Sequence, residues 1–238
     1  MDTYSLYAES GPQKRKTLIH VGELPGCVAN GATTAEAVAA APDAIRAFLR
    51  FLSRHGERVD PGQPFDVRLA DHFTGRGFFG QGDPSVTLPQ DLQPIDDQET
   101  RALLARFAWL REELASWAEQ QTDEALDAVP EQGRASRRVL IHVLAGAGGY
   151  LSAHLGGAVG FSRLQTQATR GLLPIPEAFR RTISMAEERV WAATPEQRAA
   201  IFERSGTKRS LRKALRRMLE HDWEHFAELG RRPGGPPL

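Results

Sequence analysis

The chain has 238 residues, 41% hydrophobic and 25% charged, and its 30 basic and 30 acidic side chains cancel to a formal net charge of zero. That length suffices for one or two domains, each with its own core, and the balanced charge gives no overall attraction to nucleic acid or to an anionic membrane. A single cysteine, Cys27, excludes a disulfide within the chain and fits a reducing cytoplasm.

The opening residues MDTYSLYAES have no basic n-region and no apolar h-region, so no signal peptide is expected. Residues 4–9 and 15–21 alternate and are rich in β-branched and aromatic side chains, with Gly11-Pro12 between them as a hairpin signal. A third short strand is expected at 27–30. The period then changes. Thr33 and Glu36 form an S/T-x-x-E capping box, and Val38, Ala41, Ile45, Phe48 and Leu52 mark one face of a helix, with Pro42 expected to kink it. A fourth strand is expected at 65–70.

From 74 to 94 the composition shifts to Gly, Pro, Gln and Asp, which reads as an interdomain linker or an ordered surface loop. Gly75-Arg76-Gly77 and Gly80–Gly82 could cradle a phosphate, but no strand-loop-helix context supports that reading. Four amphipathic segments follow. The first carries Leu103, Phe107, Leu110, Leu114 and Trp117; the second covers 136–155; the third begins after Pro176 and carries Phe179, Ile183, Ala186 and Val190; the last, 210–229, carries Leu211, Ala214, Met218 and Leu229. Such stripes bury themselves against one another, so a four-helix bundle is expected. The stretch 139–161 lacks Asp, Glu, Lys and Arg and is long enough for a bilayer, but its six glycines and two histidines make its transfer poor. A buried bundle helix is the better reading, and no membrane partner is expected. The predicted organisation is therefore an α+β domain of three to four strands plus one helix (1–73), a linker (74–95), an all-α four-helix bundle (96–230) and a disordered tail (231–238).

The apolar seam of the last helix runs Leu211, Ala214, Met218, His221, His225 in steps of three and four, so both histidines fall where the pattern faces inward. Spaced by four, they sit one turn apart and can converge on one cation. The seam of the second helix runs Val139, His142, Gly146, Gly149, Ala153, placing His142 inward as a third ligand beside very small residues. Three protein ligands with an open position suit a catalytic metal better than a structural one. An HxxxH pair alone is more often a surface or satisfied core feature; the inward third histidine favours metal. His154 is rotated by about 120° from His142 on an ideal helix, and His20, His55 and His72 fall in the first domain or at element ends. Asp222 and Glu224 read as solvated acids, with the alternative that they hydrogen-bond the ligating histidines or act as general bases.

The region from about Asp96 to Leu229 resembles the DinB-like family of four-helix bundles, through His142 in RRVLIHVLAGAGGYL and the histidine pair in LRRMLEHDWEHFAEL, 221 − 142 = 79 residues later. The resemblance implies that these three positions bind one divalent metal, often zinc, nickel or iron, and that some relatives use it to activate a low-molecular-weight thiol for transfer or isomerisation. The first 70 or so residues resemble a HicB-like antitoxin domain through ELPGCVANGATTAEAVAAAPDAIRAFLRFL. That implies a domain that docks a protein partner or forms a homodimer. With no helix-turn-helix or ribbon-helix-helix in the chain, nucleic acid is not an expected partner. Cys27 matches a position of that family, and reads as a small buried residue after a turn. The leading expectation is a metal-dependent enzyme on a small molecule or thiol; the rivals are a metal-stabilised sensor or interaction protein, and an antitoxin-like regulator.

Overall fold

A computed structural model of the chain describes residues 2–12, 14–157 and 160–238. The N-terminal unit is a four-stranded sheet and one helix: β1 (Asp2–Gly11), β2 (Lys14–Val21), β3 (Val28–Gly31), α1 (Thr34–Arg54) and β4 (Phe65–Thr74), in strand order β3-β2-β1-β4. β1 and β2 form the expected hairpin at Gly11-Pro12, β3 adds antiparallel to β2, and β4 returns parallel to β1 after the helix. Thr33 caps α1 by accepting from the Glu36 N–H at 3.2 Å, while the Glu36 carboxylate reaches back to the Ala32 N–H at 3.0 Å, one residue earlier than an ideal capping box. The helix continues through Pro42 and buries Ala41, Ile45, Phe48 and Leu52, four of the five residues of the predicted stripe, with Val38 partly buried.

A mainly helical region follows. Its long members are α2 (Asp97–Glu119), α4 (Ser136–Leu155), α6 (Ile175–Trp191) and α8 (Leu211–Gly230), with α2 and α4 each packed against both α6 and α8. Asp96 caps α2 through the Glu99 N–H at 2.7 Å, and Leu103, Phe107, Leu110 and Leu114 are all buried. The connections hold elements that the sequence reading missed: α3 (Asp123–Asp127), α5 (Phe161–Thr169), α7 (Pro195–Ala199) and a small hairpin of β5 (Phe202–Arg204) and β6 (Thr207–Arg209). α5 seats Phe161 against α4 where Gly148 leaves space; a Cβ at Gly148 would lie 2.6 Å from the Phe161 Cβ. Among the described residues no helix is long and apolar enough to cross a membrane; residues 158 and 159 of the uncharged stretch lie outside the described residues.

The two units share one continuous core. An amphipathic helix covered on one side buries a stripe, whereas α8 buries 14 of its 20 residues because it is covered on two sides. Trp223 of α8 meets Phe48 of α1 edge-on at 4.8 Å and stacks on Phe226 at 5.5 Å. Next to these rings lies a buried ionic network. Glu220 accepts from Arg216 at 2.7 Å, from Arg217 at 2.6 Å and from His20 of β2 at 3.0 Å; Arg216 also pairs at 2.7 Å with Asp91, which sits in a short 3-10 turn at Pro89–Leu92. Burial opposes the Glu220 charge, yet Arg216, His20 and Arg217 hold its carboxyl well below the usual range.

The segment 74–94 is an ordered loop fastened to the sheet. Glu9 alternates with the core residues Leu6 and Ala8 and points to the opposite face, where its buried carboxylate accepts from the N–H groups of Gly80, Gly82 and Asp83. The glycine loop does cradle an anion, and the anion is the protein's own carboxylate rather than a phosphate. Gly80 and Gly82 have φ of +85° and +88°, which glycine tolerates at no steric cost. The C-terminal segment 231–238 also departs from the sequence expectation. It folds back over the helices, with Trp117 donating to the Gly234 carbonyl at 2.8 Å, Arg54 to that of Pro237 at 3.1 Å, and Leu238 packed on the core. Its Gly/Pro composition gave no sign of these contacts, which come from residues far away in sequence.

His20 makes the junction sensitive to pH. Burial works against its charge, but Glu220 and Glu9 raise its pKa above the ordinary value of 6.5. A raised folded-state pKa gives a stabilisation that is complete below 6.5 and is lost as pH rises through the folded value. Lys213, lowered by burial to about 8, contributes with the opposite slope at alkaline pH. The difference in melting temperature between the parent and His20→Gln, which cancels the lysine, is therefore expected to be largest near pH 6 and to shrink by pH 9. A difference that does not vary with pH would show that His20 stays neutral in the fold.

Candidate metal centre

His142 projects from α4, and His221 and His225 from α8, the two helices that pack against each other. The structure brings all three predicted ligands together. One ring nitrogen from each lies within 4.8 Å of the others, and the ring centroids are 4.8–4.9 Å apart. His142 is exposed at the mouth, while the His221 and His225 side chains keep only 13% and 12% of their surface.

The second nitrogens are engaged in a way that fits a metal. Glu228 lies 2.8 Å from His225 Nδ1 and Asp222 lies 3.3 Å from His221 Nδ1. A carboxylate beside Nδ1 holds the proton there and leaves Nε2 as a lone pair, the arrangement that metal-ligating histidines adopt; this describes His221, while Nδ1 of His225 also has the Arg134 guanidinium at 3.2 Å. Nε2 of His221 then faces Nε2 of His142 at 3.1 Å. Two nitrogens bound tetrahedrally at about 2.0–2.1 Å from one ion would stand about 3.3 Å apart, so the gap matches a shared cation. Without one, the pair needs a proton between them. Burial first, then the charges of His221 and His225, push the His142 pKa down to about 4, and burial likewise lowers His221. Both rings are therefore neutral at pH 7 and able to donate lone pairs.

The support behind the ligands corrects the reading of the two neighbouring acids as solvated. Asp222 is fully buried; burial opposes its charge, but Arg111 and His221 lower its pKa. Arg111, also fully buried, contacts Asp222 at 2.7 Å, Thr182 Oγ1 at 2.5 Å and the Val143 carbonyl at 3.0 Å. It thereby ties α2, α4, α6 and α8 together directly behind His221. The clue lay in the α2 stripe, where Arg111 stands four residues after Phe107 and three before Leu114, a charge in an apolar register. Glu228 completes the support for His225: burial opposes its charge, but His225, Arg134 and Arg232 hold its carboxyl down to about 2. Glu224 points elsewhere, pairing with Lys16 of β2 at 2.5 Å and lining a separate cavity beside α1.

A cavity of about 350 Å³ adjoins His142, and its wall includes Gly146, Gly149, Tyr150 and Ala153 of α4. The two glycines serve different ends. A Cβ at Gly146 would strike the His221 ring, 2.6 Å from Nδ1, so this glycine lets the histidine approach α4. A Cβ at Gly149 would meet nothing within 4 Å, so this one leaves open space.

The remaining histidines are not among the three ligands, although His154 lines the same cavity. His154 stacks on Phe202 and contacts the Gln197 carbonyl at 3.2 Å, His20 belongs to the junction, His55 contacts Glu113 at 2.7 Å, and His72 contacts Ser10 at 2.8 Å. Cys27 is completely buried and burial pushes its thiol pKa up, which removes it as a nucleophile. Comparison of the chain with family models, with curated proteins and with solved structures finds no match.

Proposed function

We propose that α2, α4, α6 and α8 are a DinB-like four-helix bundle holding one divalent ion, zinc, nickel or iron, on His142, His221 and His225, and that the protein is a metal-dependent enzyme acting on a small molecule. The observation that carries this reading is the cavity opening beside His142: a metal that only held helices together would gain nothing from such a space, since cores favour close packing. A divalent ion there would supply Lewis-acid chemistry, lowering the pKa of a coordinated water or thiol toward neutrality. A low-molecular-weight thiol, transferred or isomerised, is the substrate class that the DinB-like resemblance implies. The four-stranded N-terminal unit is read as HicB-like and proposed as a docking or dimerisation module, with the largely exposed edge strand β4 as its free surface. A cytoplasmic setting goes with the thiol chemistry.

Gly149→Leu tests the open position. Nothing crowds that site, and replacing glycine in a helix gains up to about 1 kcal/mol of propensity, so the variant should fold and keep its metal. In cobalt-substituted protein, added imidazole or thiol should shift the visible spectrum of the parent and bind the variant at least about tenfold more weakly, a loss of roughly 1.4 kcal/mol. Equal binding to both would place the approach to the metal elsewhere and argue for a purely structural ion.

A further inference from the structure

The cavity beside His142 has a second chemical character. Arg209, Lys213 and Arg217 line it together with His142, Gly149 and Tyr150. On α8, Arg217 and Lys213 precede His221 by one and two turns, or about 6 and 12 Å at 1.5 Å per residue. The cations are thus displaced along the helix from the histidines, with Tyr150 between: its ring lies 6.0 Å from His221 on one side and 5.7 Å from the Arg217 guanidinium on the other.

These cations are short of negative partners. Lys213 is only 5% exposed, yet among the described residues its ammonium donates to neutral oxygens alone: the Pro84 carbonyl at 2.8 Å, Thr87 Oγ1 at 2.7 Å and the Lys208 carbonyl at 3.1 Å. Among the described residues the Arg209 side chain makes no hydrogen bond or ion pair, and its Nε is buried without a partner. Arg217 is also 5% exposed and has a buried, unpartnered Nε; its one carboxylate, Glu220, is shared with Arg216 and His20. Buried donors left unsatisfied cost free energy, and a buried ammonium without a counter-charge costs more. Burial, helped by Arg216, Arg209 and Arg217 against the pull of Asp91, brings the Lys213 pKa down to about 8, as expected of a cation lacking a partner.

We infer that the Arg209–Lys213–Arg217 end of this cavity is an anion subsite, which takes the carboxylate of a small, otherwise apolar molecule whose other end reaches the histidines. Only that last clause rests on the proposed metal function. The rest of the lining is mainly apolar, with Gly149, Ala153, Ala214 and the Tyr150 ring, and His154 and Ser210 are its polar members, so the ligand is an amphiphile with one charged end.

The test uses the full-length chain, metal-free and metal-loaded, with 4-phenylbutanoate and its neutral analogue 4-phenylbutanamide as probes, followed by isothermal titration calorimetry. The carboxylate should bind at least about tenfold more tightly than the amide in both forms. Arg209→Gln should erase most of that preference without changing the melting temperature, because the substitution keeps the backbone pairing with Phe202 and the Arg209 side chain makes no hydrogen bond or ion pair among the described residues. Lys213→Gln should weaken the carboxylate as well, and it serves as a second variant on a different element. His221→Ala should leave the preference intact, so the subsite can stand even if no metal is found. Equal binding of the two probes, binding of neither, a preference unchanged in Arg209→Gln, or one that disappears with the metal would each overturn the assignment; in the last case the carboxylate is simply a metal ligand.

Discussion

His221→Ala is expected to abolish copurification of metal, which in the parent chain should approach one ion per molecule when the protein is prepared without a histidine tag and analysed by mass spectrometry. The variant keeps His142 and His225, but two imidazoles on different helices rarely hold a divalent ion tightly. His221 is also the ligand with the deepest support, since Asp222 beside its Nδ1 is itself held by buried Arg111. Asp222→Asn should therefore lower metal affinity about 10–100-fold while all three histidines remain, as loss of an outer-shell carboxylate does. It should also destabilise the fold, because it removes the counter-charge of a fully buried guanidinium, at a cost of about 3–5 kcal/mol. The two variants separate the roles: His221→Ala should lose metal with a modest change in melting, and Asp222→Asn should lose stability even in metal-free protein. Metal content undiminished in His221→Ala would sink the site.

Glu220→Gln is expected to give the largest loss of stability outside the centre. The residue is 2% exposed and serves Arg216, Arg217 and His20 at once. With an amide in its place Arg216 retains Asp91, whereas Arg217 loses its one carboxylate partner among the described residues, and His20 keeps the more distant Glu9 at 3.4 Å. Removing one member of a buried ionic network costs about 3–5 kcal/mol, and for a chain of this length that corresponds to a fall of about 10 °C in melting temperature. Because Glu220 joins β2 to α8, and Arg216 carries the network on to Asp91 in the 3-10 turn, the sheet and the helices are expected to melt together in the parent. A variant that melts within about 2 °C of the parent would mean that water already reaches these groups and satisfies them.

The sequence by itself carried the main elements and the trio of histidines, for a definite physical reason. A helix repeats every 3.6 residues, so a histidine in step with Leu211, Ala214 and Met218 faces the interior whatever the neighbours are; His142, in step with Val139, meets the other two as expected but is exposed at the mouth rather than buried, because the cavity leaves it uncovered. The alternation in β1 and β2 and the cap at Thr33 are local in the same sense. Tertiary structure alone decided what lies off the seam. Asp222 is rotated by about 100° from His221, a direction that reads as solvent unless Arg111, 111 residues earlier, comes to meet it. Glu9 looked like the polar half of an alternating strand until the glycine loop closed over it, and α8 looked one-sided until Phe48 covered Trp223. The split between Gly146, which makes room for a ring, and Gly149, which leaves a void, follows from where α8 lies rather than from composition. Periodicity reports which way a side chain points along its own element; what it meets there is settled by elements brought together from far along the chain.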